Sequence, residues 1–492
     1  MLDAIFKPFA EQSPICVMAV AAVRRLLGND RLDRLFARAR VGQYVRELMF
    51  SDLFGLMAAV VSGSRRSVHH AHQASDIAVS VVAVYDKLKG IEPSVCRALV
   101  RETAAEVATL MAGMDAAPGH AGRRVPVLPG YHTKVLDGNC VAATEHRIKP
   151  LRATSAGPLP GKSLVVLDAD RRLIADLFTC PDGHAQERAI LPQVYPTIAA
   201  GDLWVADRNF CTAEFLAELA ARGACLVIRR HGNMAVRPVG DRVRVGRCDT
   251  GTVYEQPVVI TIPGGGELSL RMVEVELDRP ARGGDRVLTV LTNLPASVDA
   301  LTVADLYRGR WAIETAFQEL AAHFNSEINT LGYPGAALFA FAVAVTLYNA
   351  VALMRAALAV HHGATPVDED VSGYYIGADL ETTTRGMLIA IPPPHWDAFE
   401  TMPAAAFAAV MVMLAGAVNM RHYKKHPRGP KRPQPPRVHD PAHPHVSTPA
   451  LLRYPTGVDR RFWATNEGAE LLPLPHSRCS MRNIASSTGI FA

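Results

Sequence analysis

Apolar residues recur at helical spacing through the first part of the chain. The spacing predicts helices over residues 46–61, 76–88 and 93–113. The second and third of these are joined by a short turn that contains Gly90, as in a helix-turn-helix pair, so Arg97 and Arg101 would lie on the second helix of the pair. We interpret residues 1–130 as a helical N-terminal domain that binds DNA, with ordinary helix packing as the alternative.

From residue 131 onward, short apolar runs and alternating patterns replace the helical spacing. They predict strands over 133–141, 163–167, 173–178, 202–206 and 224–228, and helices over 185–194 and 212–222. The turn residues between the second and third strands predict a hairpin. Three strands, a helix, a strand, a helix and a strand, in that order, indicate a mixed α/β fold.

The segment 231–298 has alternating apolar runs separated by glycine-rich turns, which predicts a β-rich insertion. Helical spacing then returns, and Thr302 with Asp305 three residues later predicts the start of one helix over Val303–Phe324. Composition divides the remainder into a helical region at 361–420, a basic segment at 421–446 rich in proline and histidine, and a tail at 447–492 without clear periodicity.

The composition is that of a folded protein. The chain has 492 residues, of which 49% are apolar and 20% are charged, and this excludes a disordered or collagen-like protein. Its eight cysteines include no C-x-x-C pair, so zinc-ligand spacing is absent and a reducing compartment is the simplest interpretation. The first twelve residues carry a net charge of −1, and we expect no secretory signal.

The positive charge of the chain is concentrated in one stretch. Residues 421–445 contain seven Lys or Arg and one Asp, a net charge of +6, whereas the whole chain carries +5. Seven prolines and five histidines argue against a core here, but Lys424, Lys425 and the other basic residues can neutralise phosphates. A nucleic-acid-binding segment and a solvated linker both remain open.

Two uncharged runs are long enough to cross a membrane. Residues 335–354 and 403–420 each meet the length for a spanning helix. The first is rich in alanine and includes Thr346, Tyr348 and Asn349, and both runs are also compatible with helices buried in a large protein. We expect no membrane contact, and an integral membrane protein is the alternative.

Five polar residues form a pattern that suits phosphoryl transfer. Asp137 lies in the first predicted strand and Asp207 directly follows a later one, so both can project from a sheet toward a cation. Tyr307, Arg310 and Glu314 share one face of a predicted helix. Three carboxylates can hold two divalent ions about 3.5–4 Å apart, while the Arg and Tyr contact a phosphate. Ordinary turn residues and an exposed polar helix face are the alternatives.

A second group of acidic and imidazole side chains precedes the predicted strand at 202–206. Asp182, His184 and Glu187 could reach a metal ion, but the beginning of a helix explains the same cluster equally well. We therefore do not include the cluster among the candidate site residues.

The five polar residues together resemble the DDE transposases of the insertion-sequence-four family. The signature of that family is Tyr-x2-Arg-x3-Glu-x6-Lys, and YRGRWAIE at 307–314 matches its first three positions. EHRIKPLR after Asp137, PDGHAQER at 181–188 and ADRNF around Asp207 also look similar to the family. The resemblance covers roughly residues 40–446.

The resemblance implies a ribonuclease-H-like α/β catalytic domain over 131–230 and 299–360, interrupted by the β-rich insertion and preceded by the helical domain. It implies that Asp137, Asp207 and Glu314 are catalytic and hold two Mg²⁺ ions, with Mn²⁺ as a possible substitute. It also implies a homodimer that acts on DNA, namely inverted element ends and target DNA, in the bacterial cytoplasm at the nucleoid. The DNA contacts expected around the site are Tyr307, Arg310, Arg208 and Asn209.

One position departs from the family signature. The signature Lys corresponds to Ala321, so a cation that could reach a phosphate is missing there. A DNA-binding remnant without catalysis is therefore a further alternative to an active transposase.

Overall fold

The computed structural model describes residues 2–44, 47–116, 124–141, 160–281 and 284–425. All of these belong to one compact unit, formed by residues 1–151 and 157–426. A second unit, 152–156 and 427–492, consists only of residues outside the described ranges. The predicted tail and most of the predicted basic segment therefore lie outside the described residues.

Helices form the first part of the chain, as the apolar spacing predicts. The helix predicted from residue 76 begins only at Val81, because the Ser80 side chain accepts a hydrogen bond from the Ala83 N–H and caps it there. Pro93 occupies the first turn of the next helix, where its missing N–H costs nothing. The described helices are α1 (Lys7–Gln12), α2 (Pro14–Leu27), α3 (Asn29–Ala39), α4 (Phe50–Val61), α5 (Val68–Gln73), α6 (Val81–Lys89) and α7 (Pro93–Asp115).

A mixed sheet follows. Its first five strands are β1 (His132–Cys140), β2 (Lys162–Asp168), β3 (Leu173–Cys180), β4 (Asp202–Ala206) and β5 (Cys225–Arg229). They lie in the order β3-β2-β1-β4-β5, with β1–β2–β3 antiparallel and β4 and β5 parallel to β1. The predicted hairpin is thus confirmed, and the topology is consistent with a ribonuclease-H-like core. The helix predicted over 185–194 is a 3-10 turn, Glu187–Ile190, followed by α8 (Leu191–Val194), and α9 (Ala213–Ala221) precedes β5.

The β-rich insertion extends the same sheet. Its strands are β6 (Arg237–Pro238), β7 (Val243–Cys248), β8 (Gly251–Thr261), β9 (Glu267–Leu277) and β10 (Val287–Thr292). β10 pairs antiparallel with β5, and β9 and β8 continue outward from it. The insertion therefore covers the edge of β5 that the core alone would leave unpaired.

The two faces of the sheet pack against different helices. Successive strand residues point to opposite faces. Val135 on β1 belongs to the larger apolar cluster, which includes residues of α7 and of the helices that follow the insertion. Leu136 belongs to a second cluster with Ile190 and Leu191 near α8. Asp137 follows the alternation and shares the face of Val135.

The chain after the insertion departs from the predicted single helix over Val303–Phe324. Two helices form instead, α10 (Ala300–Gly309) and α11 (Trp311–His323), and they meet at Arg310. The Arg310 N–H bonds to the Tyr307 carbonyl three residues back, which tightens the turn and interrupts the α-helical ladder after Gly309. The capping prediction was also wrong, because Asp299 accepts from the Thr302 N–H at 2.7 Å.

The longer uncharged run forms a core helix, α12 (Pro334–His362). It is the one helix of the described ranges that is long and apolar enough to cross a membrane. Of its most apolar stretch of 18 residues, 89% is buried inside the protein. The buried Asn349 side chain bonds both the N–H and the C=O of Ile174, at 2.8 Å each, which ties α12 to β3. The remaining helices are α13 (Ala364–Asp370), α14 (Gly373–Ala390), α15 (Pro393–Thr401) and α16 (Ala404–Ala417).

Candidate active site

Two aspartates lie side by side where β1 and β4 part. The two strands are parallel, and Leu136 with Ala206 is their last pair in register. Asp137 follows Leu136 within β1, and Asp207 directly follows Ala206, the last residue of β4. Beyond this point the chain turns into a short 3-10 helix, where the Asn209 N–H donates a hydrogen bond to Asp207 Oδ1 at 3.3 Å. Asp207 therefore lies at the end of its strand as predicted, whereas Asp137 lies within β1, level with the carboxyl end of β4.

The guanidinium of Arg310 joins Asp137 to Glu314. Its Nη1 lies 3.0 Å from Asp137 Oδ2, and its Nη2 lies 2.8 Å from Glu314 Oε1. The Arg310 side chain is 4% exposed, against 19% for Asp137 and 14% for Glu314. Its Nε is buried and has no hydrogen-bond partner among the described residues. The junction of α10 and α11 thus delivers one cation between two of the three predicted catalytic carboxylates.

Burial and charge act on these groups in opposite directions. Burial raises the pKa of Asp137 from 3.8 to about 6, although Arg310 and the Gly138 N–H favour its charged form. Asp207 and Glu187 raise the pKa of Asp137 further, because like charges disfavour ionisation. Burial opposes the charge of Arg310, but Asp137 and the other acids outweigh it and raise the Arg310 pKa. The site therefore holds more negative charge than Arg310 offsets.

Tyr307 and Trp311 flank the arginine. Tyr307 is 6% exposed, and burial raises the pKa of its hydroxyl. The Arg310 guanidinium carbon lies 5.9 Å from the centre of the Tyr307 ring and 5.7 Å from that of Trp311, which is 55% exposed. Tyr307 is thus buried beside Arg310, and Trp311 leaves an aromatic surface exposed next to it.

Glu187, from the acidic cluster set aside in the sequence, belongs to this site. Its Oε2 accepts a hydrogen bond from the Asn209 side chain at 3.4 Å, and it interacts through space with Asp137 and Asp207. Burial raises the pKa of Glu187. Asp182 is exposed and binds the His184 N–H, so the cluster separates in the fold. The one signal in the sequence was the acid within PDGHAQER, whose local pattern does not show which side chain turns inward.

The predicted DNA contacts around Asp207 lie on the surface. Arg208 and Asn209 are exposed on the 3-10 turn after β4. Lys424 and Lys425 are exposed too, but each is engaged: Lys424 Nζ lies 3.2 Å from Asp370 Oδ2, and Lys425 Nζ donates to the Glu369 carbonyl at 2.9 Å. DNA contacts by these four residues stay predictions.

Arg97 and Arg101, the predicted contacts of the helix-turn-helix pair, face the sheet. Arg97 holds both oxygens of Asp176 on β3 at 3.0 Å and lies 4.1 Å above the Phe178 ring. Arg101 Nε lies 3.6 Å from Asp176 Oδ2. These contacts attach α7 to β3, and a role in DNA binding stays a prediction.

The donors suit a hard divalent cation, but they do not surround a common point. Among the residues that the structure describes, no three His, Cys, Asp or Glu side chains are grouped closely enough to hold a metal ion. The Arg310 guanidinium takes the position between Asp137 and Glu314, where it is itself a cation held by oxygens. Carboxylate oxygens are the ligands that Mg²⁺ prefers. The chemistry of the donors therefore fits a hard cation, and the Arg310 guanidinium separates Asp137 from Glu314.

Comparisons with known proteins agree on a transposase domain. Residues 137–349 match the family described as "Transposase DDE domain", and this match begins at Asp137 and includes Glu314. A Sinorhizobium fredii protein named "Putative transposase y4zB" is 30% identical over 135 residues, which are 27% of this chain and 37% of that protein. The chain therefore carries a region similar to transposase catalytic domains, while the match spans little more than a third of its relative.

A solved structure gives a weaker likeness. It is titled "Cryo-EM structure of piggyBac transposase synaptic complex with hairpin DNA (SNHP)", and it is 13% identical to this chain. The alignment covers 80% of this chain and 76% of the other, with a TM-score of 0.31. At that score, no conclusion about the fold or the site follows from the likeness.

Proposed function

We propose that this protein is a DNA transposase of the insertion-sequence-four type, which cleaves the ends of its own element and joins them to target DNA. The observation that carries the proposal is the junction of Asp137, Arg310 and Glu314 beside Asp207. Three carboxylates and a guanidinium near the carboxyl end of a central strand suit phosphoryl transfer on a polyanion. We further propose that it acts as a homodimer on DNA in the bacterial cytoplasm, since two element ends must be held together.

Asp137, Asp207 and Glu314 would hold two Mg²⁺ ions, which Mn²⁺ could replace. When bound, these ions would activate an attacking water or 3′-hydroxyl and stabilise the leaving oxygen of the phosphodiester. Arg310 would release its carboxylates and turn its planar fork toward the scissile phosphate, for which the guanidinium geometry is suited. Tyr307 would donate its hydroxyl to a phosphate oxygen.

The remaining contacts would position the duplex. Arg208 and Asn209 stand exposed beside Asp207, where they can reach the backbone next to the scissile bond. Arg97, Arg101, Lys424 and Lys425 would contribute to binding farther from the site, as far as their present carboxylate and carbonyl partners allow.

Strand cleavage on the flanking DNA of the element tests the proposal. Purified protein is incubated with labelled end DNA and Mg²⁺, with Mg²⁺ and EDTA, and with Mn²⁺. We expect nicked or cut ends with either metal and none with EDTA. Specific end binding without cleavage under all three conditions would favour the DNA-binding remnant suggested by Ala321, and absence of end binding as well would reject the transposase assignment.

A further inference from the structure

Glu187 lies against β1 at Gly138, where the absence of a side chain leaves room for its carboxylate. A Cβ atom placed on Gly138 would lie 2.3 Å from Glu187 Oε1, closer than real atoms approach. Gly138 directly follows Asp137, and its φ is not in the left-handed region, so backbone conformation does not explain the glycine. The absence of a side chain at this position instead lets a carboxylate lie against β1 next to Asp137.

Glu187 and Arg310 approach β1 at Gly138 and Asp137 from opposite faces of the sheet. Glu187 opens the 3-10 turn that leads into α8, and Ile190 of that turn packs in the cluster of Leu136. Arg310 comes from the α10–α11 junction, whose apolar residues pack in the other cluster. The two side chains therefore bracket Asp137, a carboxylate from one side and a guanidinium from the other.

Acidic side chains outnumber buried basic ones around Asp137. Lys162 at the start of β2 is 5% exposed and acts on Glu187 only through space. Arg310, which contacts Asp137 and Glu314, acts on Asp207 only through space. Arg310 and Lys162 are the buried cations that act on the four acids Asp137, Asp207, Glu187 and Glu314, whereas Arg188 and Arg208, next to Glu187 and Asp207 in the chain, are exposed.

We propose that Glu187 is a fourth acidic residue of the metal-binding site, which holds a divalent cation, directly or through a bound water, together with Asp137 and Asp207. The inference rests on the proposed function, since it assigns a further ligand to the same site. Carboxylate oxygens are the ligands that hard divalent cations prefer, and Glu187 brings one more carboxylate beside Asp137 and Asp207. The competing role for Glu187 is to orient Asn209 by its hydrogen bond, without any contribution to metal binding.

Two substitutions separate these roles. Glu187→Gln keeps an oxygen acceptor for Asn209 but removes the charge, so it weakens metal binding only if the carboxylate itself is used. Gly138→Ala keeps Glu187 but adds the Cβ that would displace it, and the atoms that must shift are the far end of a flexible side chain. Glu214→Gln, an exposed acid in the first turn of α9, is the matched control.

The test is calorimetric titration of the full-length protein with Mn²⁺ in the absence of DNA, with folding checked by thermal melting. We expect Glu187→Gln and Gly138→Ala each to weaken Mn²⁺ binding by about tenfold or more, or to lose one bound ion, as removal of supporting ligands does elsewhere. Glu214→Gln should bind as the wild type does. If Glu187→Gln does not fold, Gly138→Ala decides the question.

Asp137→Asn distinguishes failure of this inference from failure of the proposed function. Loss of Mn²⁺ binding in Asp137→Asn, with wild-type affinity and stoichiometry in the folded Glu187 and Gly138 variants, would overturn the role of Glu187 and leave the three-carboxylate site standing. Wild-type Mn²⁺ binding in Asp137→Asn as well would reject the metal site altogether.

Discussion

The Arg310 guanidinium lies 3.0 Å from Asp137 Oδ2, although 173 positions separate the two residues in the chain. The same guanidinium holds Glu314 four residues later. This cation keeps the two carboxylates together and offsets part of their repulsion. Under the proposed function Arg310 would exchange these carboxylates for a phosphate, so it would have both a structural and a functional role.

Arg310→Gln should destabilise the metal-free protein. The change leaves two largely buried carboxylates without their cation, which typically costs about 3–5 kcal/mol. Thermal or urea unfolding in EDTA at neutral pH measures the effect. Arg222→Gln removes an exposed pair with Glu218 and should change stability by at most about 1 kcal/mol. Equal, small effects of both substitutions would show that the Arg310 pair does not stabilise the fold.

The contribution of Asp137 to the stability of the protein without metal should fall as the pH rises from about 4 to about 6. Folded Asp137 keeps its proton up to about pH 6, whereas the unfolded chain releases it near 3.8, so the folded state binds more protons in this window. Asp137→Asn removes the effect and should gain up to about 3 kcal/mol relative to wild type by pH 7. Unfolding of both proteins in EDTA across this range is the measurement, and a difference that does not vary with pH would contradict the raised pKa.

Each carboxylate of the triad should be required for cleavage but not for binding. Alanine at Asp137, Asp207 or Glu314 removes a metal ligand and should slow strand cleavage on the order of 10³-fold or more, while end binding stays nearly intact. Single-turnover cleavage and gel-shift titration on the same end DNA measure the two properties. A residue whose alanine variant cleaves at the wild-type rate is misassigned.

The basic segment should contribute salt-dependent DNA binding. Tyr423 is buried and its hydroxyl bonds to Asp379, so a deletion that spares the fold starts after Lys425. Residues 426–445 contain four Lys or Arg and one Asp. Their removal should flatten the plot of log affinity against log salt by about 0.9 for each phosphate that the segment neutralises. An uncharged Gly/Ser replacement of equal length controls for linker length, and a wild-type slope with this replacement would make the segment a linker only.

Ala321→Lys should strengthen DNA binding or cleavage. Ala321 is exposed on α11, seven residues beyond Glu314, at the signature position for a cation. A lysine there could add up to about 1–2 kcal/mol if its charge meets a partly desolvated phosphate. Ala322→Lys adds the same charge about 100° around the helix and is the control. The cleavage rate at two salt concentrations is the readout, and equal rates for both variants would show that the gain is general electrostatics or absent.

Local pattern predicted much of the secondary structure. The apolar run at 202–206 is β4 with the same bounds, and the alternating runs of the insertion are strands. The prediction failed at Arg310, because the apolar spacing continues across the break between α10 and α11 and only the backbone hydrogen bonds change there. It also missed that the insertion joins the core sheet, since pairing of β10 with β5 links strands far apart in the chain.

The sequence by itself determined which residue types are present for the chemistry: one aspartate within a β-strand, another directly after a later strand, and a Tyr, Arg and Glu at fixed spacing. Only the tertiary structure decided how they meet. The register of β1 with β4 sets the aspartates side by side, and the α10–α11 junction inserts Arg310 between Asp137 and Glu314. Tertiary packing also attached Arg97 to Asp176 on β3. It brought Glu187 to the site through the space at Gly138. Residue spacing reports neighbours within a few turns or strand positions, whereas partners far apart in the chain are chosen by sheet register and core packing.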